Sequence, residues 1–203
     1  MAGNSYVTVD EGVDKNIATY QRSVDGATVE TYKYVEDEPT MATYTVVGQT
    51  ALAISTANSH IFQIMAGGTL RVGLKRLVLE QIANATAIAR IQLQAWALTT
   101  AGTGGTALTP RALDPLSGAV GATVMTLPTA KGTENSIRDQ RHHLIHTTAT
   151  TIGVDPLVWE WGDGRHKGIW ITAGTSNGIA IKCVPSDASA TFRFSLTFVE
   201  ASY

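Results

Sequence analysis

Phe192, Phe194, Leu196 and Phe198 alternate with Arg193, Ser195 and Thr197. A period of two puts four large apolar side chains on one face of an extended strand and short polar ones on the other. A helix groups residues three and four apart and cannot use this pattern. The same alternation recurs. Ile91, Leu93, Ala95 and Ala97 interleave with Arg90, Gln92, Gln94 and Trp96; Ile179, Ile181 and Cys183 with Ala180 and Lys182; Leu157, Trp159 and Trp161 with Val158 and Glu160. The pattern predicts strands near 41–47, 60–65, 69–80, 87–98, 119–126, 143–150, 157–161, 168–173, 178–184 and 190–199, with no long helix. Gly, Pro, Asn and Asp clusters, such as AGG at 66–68 and AGTSNG at 173–178, bound them. Many short strands between turn signals predict an all-β fold with two packed sheets. Strand number and the long middle connections fit a jelly-roll-like antiparallel β-sandwich better than a seven-stranded immunoglobulin sandwich.

Two departures from simple alternation are informative. Leu70, Val72 and Leu74 share one parity and Leu77 and Leu79 the other. Keeping both sets inward needs one extra residue near Lys75 and Arg76, so a β-bulge is expected there. The Ala-rich stretch IANATA leaves a helical turn near 80–89 as an open alternative. Residues 99–118 (TTAGTGGTALTPRALDPLSG) carry no regular apolar period and are expected to be a long binding or neighbour-ordered loop. Residues 127–142 (LPTAKGTENSIRDQRH) read as a second, more charged excursion with one helical turn around 135–140.

Charge divides the chain. Residues 1–40 hold eight acidic and three basic side chains, while the rest holds nine acidic and twelve basic. The first forty residues, ending in the acidic run YKYVEDEPT, are therefore expected to be an extended N-terminal arm, ordered against a partner or against the body at 41–203. An edge strand or a poorly ordered terminus is the alternative. Only 16% of all residues are charged, against about 25% in ordinary soluble domains, and 44% are hydrophobic. Such a chain is expected to cover much of its surface with protein. A formal net charge of −2 argues against nucleic acid as a partner, which calls for clustered Lys and Arg. No apolar run of about 20 residues is present to span a membrane. The start, MAGNSYVTVDEG, lacks the features of a signal peptide, and the single Cys183 offers no disulfide framework; both predict assembly in a reducing cytoplasm.

Candidate chemistry is sparse. His142, His143 and His146 form HHLIH, but in a strand His142 and His146 stand about 13 Å apart, and no carboxylate or cysteine completes a ligand set. TAGTGG has the glycines of a phosphate-binding loop without the Lys-Ser/Thr that ends one, so a mobile Gly-rich loop is expected. Asn84-Ala85-Thr86 fits a glycosylation acceptor, without meaning in a chain lacking a secretory signal. The densest stretch is WEWGDGRHKGIWI, Trp159 to Ile171. Trp161 with Asp163 and Arg165 would suit a sugar ring, a flat apolar face beside planar hydrogen-bonding groups. The alternative is a hairpin turn at Gly162-Asp163-Gly164, with the tryptophans packed between sheets. A glycosidase needs paired carboxylates. Only Asp155, Glu160 and Asp163 lie near one another, and Glu160 points away from Trp159 and Trp161. No catalytic residue, cofactor or metal site is expected.

TTAGTGGTALTPRALDPLSGA, followed after about forty residues by DPLVWEWGDGRHKGIWI and a Gly-rich turn into IAIKC, resembles tailed-bacteriophage virion structural proteins. In that group a β-strand leads into a TTAGTGG-TALTPR-LD loop, and a W-E-x-G-D-G-R segment precedes the penultimate strands. The resemblance covers about residues 58–199 and leaves out the acidic arm. It implies a jelly roll on the capsid surface of a virion: a non-enzymatic capsid decoration or cement protein, standing as a homotrimer on the major capsid protein. The alternative is a tail- or vertex-associated receptor module whose Trp-rich turn binds host glycans.

Overall fold

The computed structural model describes residues 6–8, 16–24, 27–32, 41–51, 60–83, 85, 90–145, 156–162, 168–184 and 190–202. The chain divides into two units, Met1–Thr40 and Met41–Tyr203. In the first, β1 (Tyr6–Thr8), β2 (Asn16–Val24) and β3 (Ala27–Tyr32) form an antiparallel meander. Residues expected to order against something else thus pair with one another. The signal was present: Val24 pairs with Ala27, so only Asp25 and Gly26 separate the strands, the dipeptide preferred in two-residue hairpin loops.

The second unit contains β4 (Ala42–Ala51), β5 (His60–Met65), β6 (Arg71–Ala83), β7 (Arg90–Leu98), β8 (Thr106–Leu108), β9 (Arg111–Ala112), β10 (Thr123–Thr126), β11 (Glu134–Leu144), β12 (Leu157–Glu160), β13 (Trp170–Ile171), β14 (Gly178–Val184) and β15 (Thr191–Ala201). There is no helix among the described residues. One sheet runs β11-β7-β14-β5-β10-β8, the other β12-β6-β15-β4-β9, with β13 also on β6. Every pairing is antiparallel. Leaving aside the short β8, β9, β10 and β13, consecutive strands alternate between the sheets except β7 and β11, which pair within one sheet, and they interleave as β12-β6-β15-β4 and β11-β7-β14-β5, the order of a jelly roll.

The alternating residues build the core between the sheets. Phe192, Phe194, Leu196 and Phe198 are all buried, as are Leu77 and Leu79 beside them and Leu93, Ile179 and Ile181 opposite. Phe62 of β5 stacks on Phe194 of β15 with centroids 4.8 Å apart and planes 10° from parallel. Such a pair adds about 0.5–1.5 kcal/mol beyond the area it buries. The expected bulge is present. Thr197 pairs with Arg76 and Phe198 with Leu74, so Lys75 is the extra residue that lets both parities of β6 reach the core.

Two expectations are corrected. Residues 134–144, read as an excursion with a helical turn, are the eleven-residue edge strand β11. Its sequence ENSIRDQRHHL hides the strand because an edge position buries neither face fully, and Asp139 and Arg141 occupy positions opposite the core-facing Ala95 and Leu93. Of the strand expected at 143–150, His143 and Leu144 end β11, and residues 146–150 lie outside the described residues. Residues 99–118 are not one loop. β8 extends one sheet through β10 and β9 extends the other through β4, so the connection fastens both sheets.

Candidate functional site

Trp159 of β12 and Trp161 just beyond it lie at the edge of their sheet. Both are buried, Trp161 to 5% exposure, with ring centroids 4.8 Å apart. Both indole Nε1–H groups donate to the same carboxylate oxygen, Asp139 Oδ2, at 2.8 and 3.1 Å. Asp139 belongs to β11 of the other sheet, so one carboxylate joins the edges of the two sheets. Glu160, one residue along, points outward and pairs with Arg76 at 3.4 Å. Trp161 is therefore a core residue with its polar atom already partnered, not a face offered to a sugar. Asp163 and Arg165 lie outside the described residues.

Of the turn expected at Gly162-Asp163-Gly164, Asp163 and Gly164 fall outside the described residues, but β12 and β13 are not paired with each other. β12 and β13 both pair with β6, at Arg76–Leu79 and at Val72–Gly73, so they lie end to end along one edge. Trp161 N donates to Lys75 O and Leu74 N to Ile169 O, both at 2.9 Å. Trp161 and Ile169 thus hold to adjacent residues of β6 at the bulge.

A second constellation lies on the outer face of the other sheet, and no spacing of residues along the chain points to it. Segments 99–105 and 127–133 pair through Thr99 N to Thr133 O and the reciprocal Thr103–Ala130 bonds. They fold over β5, whose six residues are buried on both faces. Gln63 holds this flap from beneath: its Nε2 donates to Gly102 O at 3.2 Å and its Oε1 accepts from Gly102 N at 2.9 Å. A Cβ on Gly102 would stand 2.7 Å from Ala130 O and 2.9 Å from Gly132 N. TAGTGG is therefore glycine-rich because two backbones approach closely, and the expected mobile loop is a fastened one.

Beside the flap, Glu134 at the start of β11 accepts from His60 Nε2 at 3.0 Å and from Lys182 Nζ at 3.1 and 3.2 Å, with Lys131 Nζ at 3.4 Å. His60 is completely buried. Lys182 Nζ also lies 4.8 Å from the centroid of the Trp96 ring, a cation–π contact. Burial pushes the His60 imidazole below its ordinary pKa, against the opposing pull of Glu134. Burial alone would raise Glu134, but hydrogen bonds from Lys182 and His60 and the Lys charges outweigh it and hold the carboxyl below its usual range. A carboxylate so surrounded by donors is a poor general base and a good anchor. From the Glu134 anchor, β7 and β11 carry a row of side-chain bonds along the sheet: Trp96 Nε1 to Gln94, Gln94 to Gln92, Gln92 to Gln140.

A third carboxylate, Glu200 near the end of β15, is buried and accepts from Ala122 N at 2.6 Å and from Gly121 N at 3.0 and 3.1 Å. It fixes the chain entering β10. The histidines do not converge. His142 and His143 point to opposite sides of β11, His142 exposed, and His146 lies outside the described residues. No group of three His, Cys, Asp or Glu able to hold a metal occurs among the described residues. Each of these three carboxylates joins segments of the fold. No protein-family model, curated protein or solved structure matches this chain.

Proposed function

We propose that the protein is a non-enzymatic virion structural protein of a tailed bacteriophage: a capsid decoration, or cement, protein that binds the outer shell as an oligomer and stiffens it. One observation supports this reading above the others. The two stretches that carry the sequence resemblance serve as fasteners. TTAGTGGTALTPRALD supplies the flap and the strands that extend both sheets, and WEW supplies the indoles held by Asp139. A sandwich tied across its edges suits a part that must resist deformation of the surface beneath it.

The partner in this reading is the major capsid protein, on the surface of the virion, after assembly in the host cytoplasm. The acidic segment 1–40 attaches to neighbouring shell subunits, each attachment raising the effective concentration of the next. The glycan-binding alternative, a tail or vertex module, loses the Trp161 platform to the core and has no other observation in its favour.

The test is co-sedimentation of the purified protein with expanded shells that lack it, scored with shell resistance to heating. Saturable binding and a higher shell melting temperature are the expected result. The triple variant Glu36→Gln, Asp37→Asn, Glu38→Gln should bind more weakly at low salt, and its deficit should shrink as added salt weakens binding of the intact protein. Absence of binding to the shells, with retention on a host-glycan column, would overturn the assignment.

A further inference from the structure

The outer face of the sheet β12-β6-β15-β4-β9 is patterned in rows that the strand registers define. The central row is Val158, Val78, Ser195 and Val47, from β12, β6, β15 and β4 in turn. On one side lie Glu80, Arg193 and Gln49; on the other lie Glu160, Arg76, Thr197, Thr45 and Arg111. Val47 is 59% exposed and Val158 37%. An apolar stripe flanked by charged and polar rows is the anatomy of a protein interface rather than of a solvated sheet.

We propose that two copies of this chain pair through this face about a two-fold axis that runs along the strands between β6 and β15. Such an axis exchanges β6 with β15 and β12 with β4 at the same height. Val158 then meets the partner subunit's Val47, and Val78 meets the partner subunit's Ser195. Glu80 meets the partner subunit's Arg193, and Arg193 the partner subunit's Glu80, so four charges alternate in sign around a square. Arg76 meets the partner subunit's Thr197, and Glu160 the partner subunit's Thr45. No like charges oppose one another in these rows. An isologous contact requires this kind of self-complementarity, with each patch matching its own image.

The axis overlaps four strands, β6 with the partner subunit's β15 over about eleven residues and the four-residue β12 with the partner subunit's β4. At about 4.8 Å between strands and about 3.4 Å per residue the shared face is about 500 Å². This is the size of a small interface rather than the about 800 Å² per partner of a standard one. Aligned packing of two twisted sheets at about −30° is a standard geometry for such faces. The contact joins copies two by two, whereas the ring of three implied by the sequence resemblance would use two different patches on each copy.

Solution mass by size-exclusion chromatography with light scattering tests this without any shell, so its outcome is independent of the decoration-protein reading. The intact protein should give twice 21.5 kDa, or a higher even multiple, at micromolar concentration. Arg193→Glu alone places four acidic groups at the centre of the pair, and Glu80→Arg alone places four basic ones. Each variant should run at half the intact protein's mass with an unchanged far-ultraviolet spectrum. Mixed in equal amounts, the two should restore the intact mass, because the acidic face of one meets the basic face of the other. Mixing cannot repair a defect within either chain. A mass of one or three copies for the intact protein, single variants that keep the intact mass, or a mixture that fails to restore it would each overturn the proposal.

Discussion

Trp159 of β12 donates its indole hydrogen to Asp139 of β11 at 2.8 Å, across the boundary between the two sheets. β11 and β12 are each the last strand of their own sheet, so the edges of the sandwich are closed by a carboxylate rather than by a backbone ladder. Trp161 shares the same oxygen. Asp139→Ala leaves two indole donors without their acceptor and should lower unfolding free energy by about 2–4 kcal/mol. Asp139→Asn, which keeps an oxygen in place, should cost less. Urea unfolding distinguishes them, and equal effects would show that the charge and the acceptor do not matter separately. Trp161→Ala should cost about 3–5 kcal/mol, the expected loss for a buried aromatic; a substitution without effect on stability would mean that the ring is not a core residue.

Acid should weaken the fold in two stages. His60 is held below its ordinary value of 6.5, so below that pH the unfolded chain takes up a proton that the folded chain refuses, and stability falls until the folded imidazole itself titrates. Glu134 is held below its ordinary 4.5. Its contribution is fully present above that value and is lost as pH falls through the folded pKa. Both slopes have the same sign. His60→Gln should remove the first stage and leave the second, which urea midpoints at pH 7.5, 5.5 and 4 would resolve. A variant and an intact protein that decline in parallel from pH 7.5 to 5.5 would contradict this assignment.

Glu200 accepts backbone hydrogen bonds from both Gly121 and Ala122 in a buried setting. Glu200→Ala strands those donors and should lower stability by about 2–3 kcal/mol. The loss should come with faster amide exchange at Gly121 and Ala122, while amides in the middle of β15 slow or quicken only with global stability. Unchanged exchange at those two amides would argue that they find another acceptor.

Gly102→Ala brings a methyl group against Ala130 O and Gly132 N. Overpacking of this kind costs about 1–3 kcal/mol. Because the clash lies between the two segments of the flap, exchange should accelerate at Thr99, Thr103 and Ala130 before it does in β6 or β15. Uniform acceleration through the whole sandwich would indicate that the flap does not open by itself.

What the sequence made legible follows from how contacts are encoded. Strands with one face inward announce themselves by alternation, and the parity change between Leu74 and Leu77 calls for an extra residue near Lys75 and Arg76, which the pairing shows to be Lys75. β11 escaped because its inward positions at the edge hold Asp139 and Arg141, so no apolar period survives. The flap escaped because backbone atoms made it, and glycines mark such an approach without naming the partner. His60 and Lys182 stand 74 and 48 residues from Glu134, and nothing local ties residues so far apart. At Trp161 the sequence offered two readings, a recognition surface from the neighbouring Asp and Arg and a core position from its alternation with Leu157 and Trp159, and the burial of all three favours the core.

The break between β12 and β13 has a practical corollary. Trp161 and Ile169 bond to Lys75 and Leu74, adjacent residues of β6, so the ends of the intervening chain stay anchored whatever its length. Lengthening a flexible loop costs only about 0.6 kcal/mol per doubling. This junction is thus a natural graft point, where a foreign peptide could be carried on a rigid sandwich without shifting the register of any strand.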